Sequence, residues 1–427
     1  MLVASMNPML RAAVGALLLA CCAAAPCAPT VRMTHIEFWT FSMKPKFTPY
    51  FDALVRRYEA AHPDVDVEWV DFPWDIIQTK LVTRIVAGTP PALVNLNVPW
   101  ADELARDGLL LPVDGLLDPR AYLPGTLADL RFGARTYGFP MYSNVAVIAC
   151  NRQILAAAGL TRAPASLAEQ LAYARQIAAR TGKAGLAPGL SKIDGLFMQQ
   201  GLGVIVKERA VFNSPAHVNL IEQLALTYRT GGLLKDGLFA EDNFPYVLDA
   251  YKGGRLGMLL APPTALRRIQ ADAPDIYALT DVAPAPLGPT GIADGGWLIH
   301  FAIPHGVRKA DLPAIGAFAR YLTGEANQLA FARQASVFPT APQAAADPFF
   351  STAQGRAGAA EQAVAAGARS IDHARTLYVA GVEDYNELRR VLVRAVEAGV
   401  TGRQDIRAAL DQAVLIWNRK LARQARK

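Results

Sequence analysis

Ile36-Glu37-Phe38-Trp39-Thr40-Phe41, Val65-Asp66-Val67-Glu68-Trp69-Val70 and Leu93-Val94-Asn95-Leu96 are three short runs, mostly alternating and rich in β-branched or aromatic residues. That pattern reads as strands. Between the first two, Tyr50 to Ala61 places Leu54, Tyr58 and Ala61 on one helical face before Pro63 stops it. Between the next two, Asp75 to Ala87 carries Ile77, Leu81 and Ile85 at four-residue spacing and ends at Gly88. Strand, helix, strand, helix, strand predicts an α/β fold on a mostly parallel sheet with crossover helices.

The pattern continues outward. Ala101 to Asp107 is a short helix ended by Gly108, and Val145 to Cys150 is an apolar strand. Ser166 with Glu169 three residues on is a capping box, opening a helix that runs to Thr181. Helices are expected at about 217–230, 245–252 and 264–271, with a buried strand at 256–260. A strand from Trp297 to Ile303 precedes helices at 310–323 and 325–334, and the tail from about Gly358 reads as helical to its end. No low-complexity linker divides the chain, so two domains would be joined by crossing strands rather than by a tether.

With 427 residues, 52% hydrophobic and 19% charged, the chain is long enough for about two or three domains and too apolar for disorder. Beyond the N-terminus no apolar run approaches the roughly 20 residues of a spanning helix. The net charge of +6 is dispersed, densest at Arg419, Lys420, Arg423, Arg426 and Lys427. No basic stripe interleaves with aromatics, so no nucleic-acid partner is expected.

Residues 1–28 read as an export signal: Arg11, an apolar core from Ala12 to Ala20, then small residues to Ala28. Cleavage falls between Cys21 and Ala28. Leu18-Leu19-Ala20-Cys21 is similar to a lipoprotein cleavage box, which would make Cys21 a lipidated first residue; ordinary signal cleavage is the other route. Cys150 is then the sole cysteine surely left in the mature body and reads as a small buried hydrophobe.

No nucleophile elbow, phosphate loop or zinc helix is present, and no two of the six histidines pair at helical spacing. No catalytic residue, metal or other cofactor is therefore expected. Aromatics instead sit at strand ends and helix starts: Trp39, Trp74, Trp100, Tyr142 and Trp297. In open α/β sheets ligands bind beyond such ends. Flat rings flanked by polar groups suit sugars, whose ring faces are apolar and whose rims carry hydroxyls.

An ordered set of landmarks resembles one family: Ile36 to Thr40; Tyr58 to Val67; Lys80 to Pro91 with its Ala-Gly-Thr-Pro-Pro turn; Gly138-Phe139-Pro140 followed by Asn151 to Gly159; Ala250 to Met258; Asp294 to Trp297; and Phe338-Pro339-Thr340. The chain is similar to the extracellular solute-binding proteins of bacterial ABC importers, the maltose, glycerol-3-phosphate and sugar-binding type. The resemblance implies the type II periplasmic-binding-protein fold: two α/β lobes, a ligand cleft between them and three hinge crossings, near 144–148, 293–297 and 336–340. The first lobe would be 29–145 plus 297–337, and the second 146–296 plus 338–427. Ligand positions carried across are Trp39, Thr40, Trp74, Asn97, Trp100, Tyr142, Ser143, Asn144, Ser191, Asp194, Gln199, Pro263, Thr264, Gly295, Gly296 and Trp297. At Pro263-Thr264 the stacking Trp of many members is missing. The implied function is a periplasmic or otherwise extracytoplasmic, monomeric sugar receptor that closes on its ligand and delivers it to membrane permease subunits. Two alternatives stand beside it. One is a receptor for glycerol-3-phosphate or another polyol, with Arg131, Arg135, Arg152 and Arg255 as phosphate candidates. The other is an exported hydrolase.

Overall fold

Thr34–Phe41 forms β1 of a computed structural model that describes residues 33–74, 76–293, 295–351 and 358–426. The export signal and Cys21 lie outside the described residues. Helix α1 (Thr48–Ala61) carries Pro49 in its first turn and buries Tyr50, Phe51, Leu54 and Tyr58 on one face. Strand β2 (Val65–Phe72), helix α2 (Ile77–Val86) and strand β3 (Leu93–Asn97) follow. Strand β1 pairs in parallel with both β2 and β3, which is the crossover arrangement the sequence predicts. The rest of this sheet is antiparallel, a departure from the mostly parallel expectation. Helix α3 (Val98–Arg106), the two-residue β4 (Leu110–Leu111) and helix α4 (Pro124–Asp129) lead to β5 (Phe139–Ser143).

The chain then leaves this sheet. Strand β6 (Val147–Asn151) is the middle of a second sheet, flanked antiparallel by β7 (Met258–Ala261) and β8 (Thr280–Pro284). All of β6 is buried, because both of its faces are covered. Ile148 and Cys150 point into one core, while Val147 and Ala149 point into another. Burial pushes the Cys150 thiol up to about 12, so it behaves as the hydrophobe the sequence suggests. Around this sheet, helix α5 (Leu167–Thr181) has the expected cap. Ser166 accepts the Glu169 N–H, and Gly182 ends the helix at φ 68°. Helix α6 (Ile193–Gln199) follows.

The chain returns in β9 (Ile299–Pro304), which sits between β3 and β5 and antiparallel to both. Helices α7 (Leu312–Leu322) and α8 (Glu325–Ala335) cover it, and β10 (Phe338–Pro339) closes the edge against β5. The large sheet therefore reads β10-β5-β9-β3-β1-β2, with β4 paired to β9. Phe350 joins the same core, so the chain stays with the large sheet beyond 338, where the sequence reading placed the third crossing. Helix α9 (Ala359–Ala368) lays Ala359, Ala360, Ala363 and Ala366 on the second sheet and Val364 on the first core, and so spans the two.

The tail is not helical throughout. From Ala374 to Asp384 the chain runs without a helix before α10 (Tyr385–Val400) and α11 (Ile406–Gln424). Thr376, Tyr378 and Val379 are poor helix formers, and Gly381 adopts φ 74°. Trp417 on α11 is fully buried against Phe212 and donates its indole N–H to Leu388 O at 2.8 Å.

Gln328 on α8 ties the large lobe's edge. Its amide donates to the Pro140 and Thr323 carbonyls, and its Oε1 accepts from the backbone N–H groups of Thr340 and Ala341 and from the Thr340 hydroxyl. Gln328→Leu leaves several of these buried groups unpaired, at about 1–3 kcal/mol each. Urea unfolding should show a loss exceeding about 3 kcal/mol; a loss below about 1 kcal/mol would mean that water replaces the amide.

Candidate functional site

A cleft of about 1350 Å³ opens between the two sheets, with walls drawn from both. On the large-sheet side the chain turns directly from β3 into α3. Asn97 caps that helix by accepting the Trp100 N–H at 2.9 Å, which fixes the Trp100 ring at the cleft. Trp74 leans on it with centroids 4.5 Å apart, and Phe41 meets Trp74 edge-on at 4.6 Å from within the core. Trp74 is still 45% exposed and Trp297 is 42% exposed, so two large rings are left facing solvent within the cleft. Asp102, one turn along α3, is buried with Arg106 beside it.

The opposite wall is polar. Ser191, Asp194 and Gln199 come from α6 and the turn before it. Gln199 donates to the Ile292 carbonyl at 3.3 Å. Tyr385, at the start of α10, donates its hydroxyl to Asp194 Oδ2, and Arg389 pairs with Glu241 above them. Burial pushes the Asp194 carboxyl up, against the lowering effect of the Tyr385 hydroxyl and Arg389. Burial and the neighbouring Asp194 raise the Tyr385 phenol in turn.

The floor is made by two stretches of backbone lying side by side. Ala293 N–H donates to His373 O at 3.0 Å, and the Thr376 hydroxyl donates to Gly296 O. A methyl group on Gly296 would lie 2.3 Å from the backbone nitrogen of Arg375, so only glycine fits there. Gly295 adopts φ 83°. Tyr378 then packs on Val98, Leu130 and Leu298.

Nine of the sixteen positions expected at the site line this cleft: Trp74, Asn97, Trp100, Ser191, Asp194, Gln199, Gly295, Gly296 and Trp297. The others do not. Trp39 is buried, bonded to Glu37 and packed edge-on to Phe72. Thr40 donates to Asp71 and receives the Trp69 indole N–H, so it holds the strand ends together. Tyr142 is buried against Phe331, and Ser143 faces a separate small cavity beside Asp129 and Thr340. Asn144 lies in the link between β5 and β6 outside the cleft lining, and Pro263 with Thr264 begins a helix behind the lining residues Leu260 and Pro262. The cleft also contains residues the sequence did not single out, chiefly Asp102, Arg375, Thr376, Tyr378, Tyr385 and Arg389. Their one sequence signal is the cluster of Thr376, Tyr378, Val379 and Gly381, which breaks the helical pattern of the tail. None of the four arginines considered for phosphate lines the cleft; Arg135, Arg152 and Arg255 pair with Asp114, Asp281 and Asp236. Among the described residues no cluster of side chains could hold a metal ion, and no helix is long and apolar enough to cross a membrane.

The family model of the bacterial extracellular solute-binding proteins matches residues 44–329. A protein of Brucella abortus named only as a binding protein is 26% identical over 273 residues, covering 61% of this chain and 64% of that relative. The match thus spans just under two thirds of that relative's length. An uncharacterized lipoprotein of Streptomyces antibioticus is 25% identical over 370 residues, 82% of this chain and 80% of its own. Among solved structures, one from Synechococcus sp. MITs9220, provisionally assigned as an oligosaccharide periplasmic-binding protein, superposes with a TM-score of 0.82 at 29% identity, covering 91% of this chain and 99% of that one.

Asp129 anchors the floor from the large-sheet side. Burial pushes its carboxyl up to about 6, opposed by a backbone hydrogen bond from Thr376 and the nearby Arg375 charge. A carboxyl raised on folding favours the folded state at low pH, and that advantage is lost as pH rises from about 4 to about 6. Asp129→Asn should therefore raise stability at pH 7.5 by about 1–3 kcal/mol and leave it unchanged near pH 4. Thermal melting at the two pH values checks this; equal destabilisation at both would show that the Arg375 contact outweighs burial.

Proposed function

The chain belongs to the family of bacterial extracellular solute-binding proteins, and we propose that this member is the sugar or oligosaccharide receptor of an ABC importer. The carrying observation is the pair of solvent-facing indoles, Trp74 and Trp297, with the partly buried Trp100 beside the first, and a polar wall in the same cleft. Indole faces stack on the CH faces of pyranose rings, while Asn97, Ser191, Asp194 and Gln199 pair with hydroxyls. A cleft of about 1350 Å³ is larger than one monosaccharide fills, which supports an oligosaccharide or a cleft that narrows on binding.

Hinge closure supplies the signal to the permease. Ligand shifts the open–closed equilibrium only through contacts made better in the closed state, so it must touch both walls. We take the large-sheet lobe and the β6-β7-β8 lobe as the moving bodies, joined by the link after β5, the stretch around 293–298 and the segments flanking α9. The protein works as a monomer outside the cytoplasm, binding rather than transforming its ligand. Lipidation at Cys21 would tether it beside the permease, and the lipoprotein relative supports that anchor. The phosphorylated-polyol reading draws less support from the cleft: of its cationic side chains, Arg106 and Arg389 are paired with carboxylates and Arg375 is bonded to the Asp372 and Ala374 carbonyls, which leaves Lys192 and Arg390 as the candidates for a phosphate.

Calorimetry against mono-, di- and oligosaccharides should find at least one sugar bound in the micromolar range. Trp74→Ala and Trp297→Ala should each weaken it about 10- to 100-fold with no change in melting temperature, since both rings are half-exposed in the free protein. Absence of binding to every sugar and polyol tested would refute the reading.

A further inference from the structure

Residues 235–243 run without helix or strand, and Glu241, Asp242 and Asn243 at their end join the cleft lining. Three ties hold this loop. Leu190 N–H, in the turn that carries Ser191, donates to Leu238 O at 3.2 Å. The Tyr246 ring lies across Gly237, 2.4 Å from where a methyl group would stand. Glu241 pairs with Arg389 of α10. This last tie joins unlike partners. The Glu241 side chain is 70% exposed and that of Arg389 only 17%. The Arg389 guanidinium lies 5.9 Å from the centre of the Tyr385 ring, whose hydroxyl is bonded to Asp194. Exposed ion pairs gain little because two mobile side chains must be ordered; here one of the two is already held.

What the tie holds in place is Asn243. Asp242 is occupied in accepting the Phe244 N–H at 3.1 Å, at the start of the next helix. The Asn243 side chain is partly exposed and makes no hydrogen bond among the described residues. Its Oδ1 and Nδ2 lie 3.4 and 3.5 Å from where a side chain on Gly189 would begin, and Gly189 is itself a lining residue two positions before Ser191. The amide therefore sits on the polar wall with its acceptor and its donors unused. An acceptor and a donor side by side match two neighbouring hydroxyls of a sugar ring. Resting on the saccharide reading above, we propose that Asn243 is a further ligand-binding residue, pairing with sugar hydroxyls on the polar wall, and that Arg389 is the positioning residue that holds its loop there through Glu241.

The test joins calorimetry on the mature chain, with glucose, maltose, maltotriose, cellobiose and xylobiose as probes, to hydrogen exchange of the 236–243 amides without sugar. Asn243→Ala should weaken the tightest-bound probe about tenfold or more and leave loop exchange and melting temperature unchanged. Glu241→Ala and Arg389→Gln should each speed loop exchange about tenfold and weaken the same probe about three- to tenfold. Arg389→Lys, which keeps a cation facing Glu241, should stay within about threefold of the wild type in both. Should Arg389→Gln fail to fold, the exposed Glu241→Ala still decides the matter. Unchanged affinity in Asn243→Ala would overturn the Asn243 contact and leave the sugar reading intact. Unchanged loop exchange in Glu241→Ala, or faster exchange with unchanged affinity, would overturn the role of Arg389. A wild type that binds none of the probes would remove the Asn243 contact with these sugars, while loop exchange still decides whether Arg389 holds the loop.

Discussion

The arrangement of the cleft depends on one close approach of two backbones. Ala293, Gly295 and Gly296 lie beside residues 373–376, tied by the Ala293–His373 and Thr376–Gly296 hydrogen bonds. A side chain at Gly296 would collide with the Arg375 backbone. The first stretch carries Trp297 into the cleft. The second leads to Tyr378, which packs on the large lobe, and then to Tyr385 and Arg389 on the other. The floor is therefore shared between lobes, and a change of angle between them must be absorbed in this strip and in the link after β5. Asp129 couples the strip to α4.

What the sequence shows is what period and capping can show. Strands β1, β2 and β3 alternate, α1 and α2 repeat apolar residues every three or four positions, and Ser166 with Glu169 marks a helix start that forms as read. The parallel β1-β2-β3 unit follows from those alone. The antiparallel insertion of β9 between β3 and β5 does not, because strand order is decided by contacts far apart in the chain. The non-helical run from Ala374 is harder still. It follows an alanine-rich helix and precedes two more, so its own weak propensities are outvoted by its neighbours.

The site shows the same division. Trp74, Trp100 and Trp297 stand at the ends of elements, where position in the chain does indicate position at a cleft. Trp39 and Thr40 stand at the end of β1 too, yet their side chains turn to Glu37 and Asp71. A strand covered on both faces gives each side chain two apolar destinations, and the choice is made by Phe72 and Trp69 on the neighbouring strand, with Asp71 beside them. Asp102 is apolar-patterned in its surroundings, being flanked by Ala101 and Leu104 on the buried face of α3. A carboxylate there reads as a lapse in the pattern until the structure places the residue in the cleft lining with Arg106 beside it.

Charge is where composition misleads most. A net +6 spread over the surface suggests affinity for anions, while the concave part of the molecule carries the opposite sign. Dispersed surface charges are screened within about 8–10 Å at physiological ionic strength, whereas groups inside a closing cleft lose that screening as water leaves. The field in the cleft is thus set by the charges that line it more than by the chain's net charge. The rings are divided too: Trp74 and Trp100 belong to one wall, while Trp297 stands on the strip shared by both lobes. Carboxylates lie on both walls, so any ligand group that pairs with them would tie one lobe to the other.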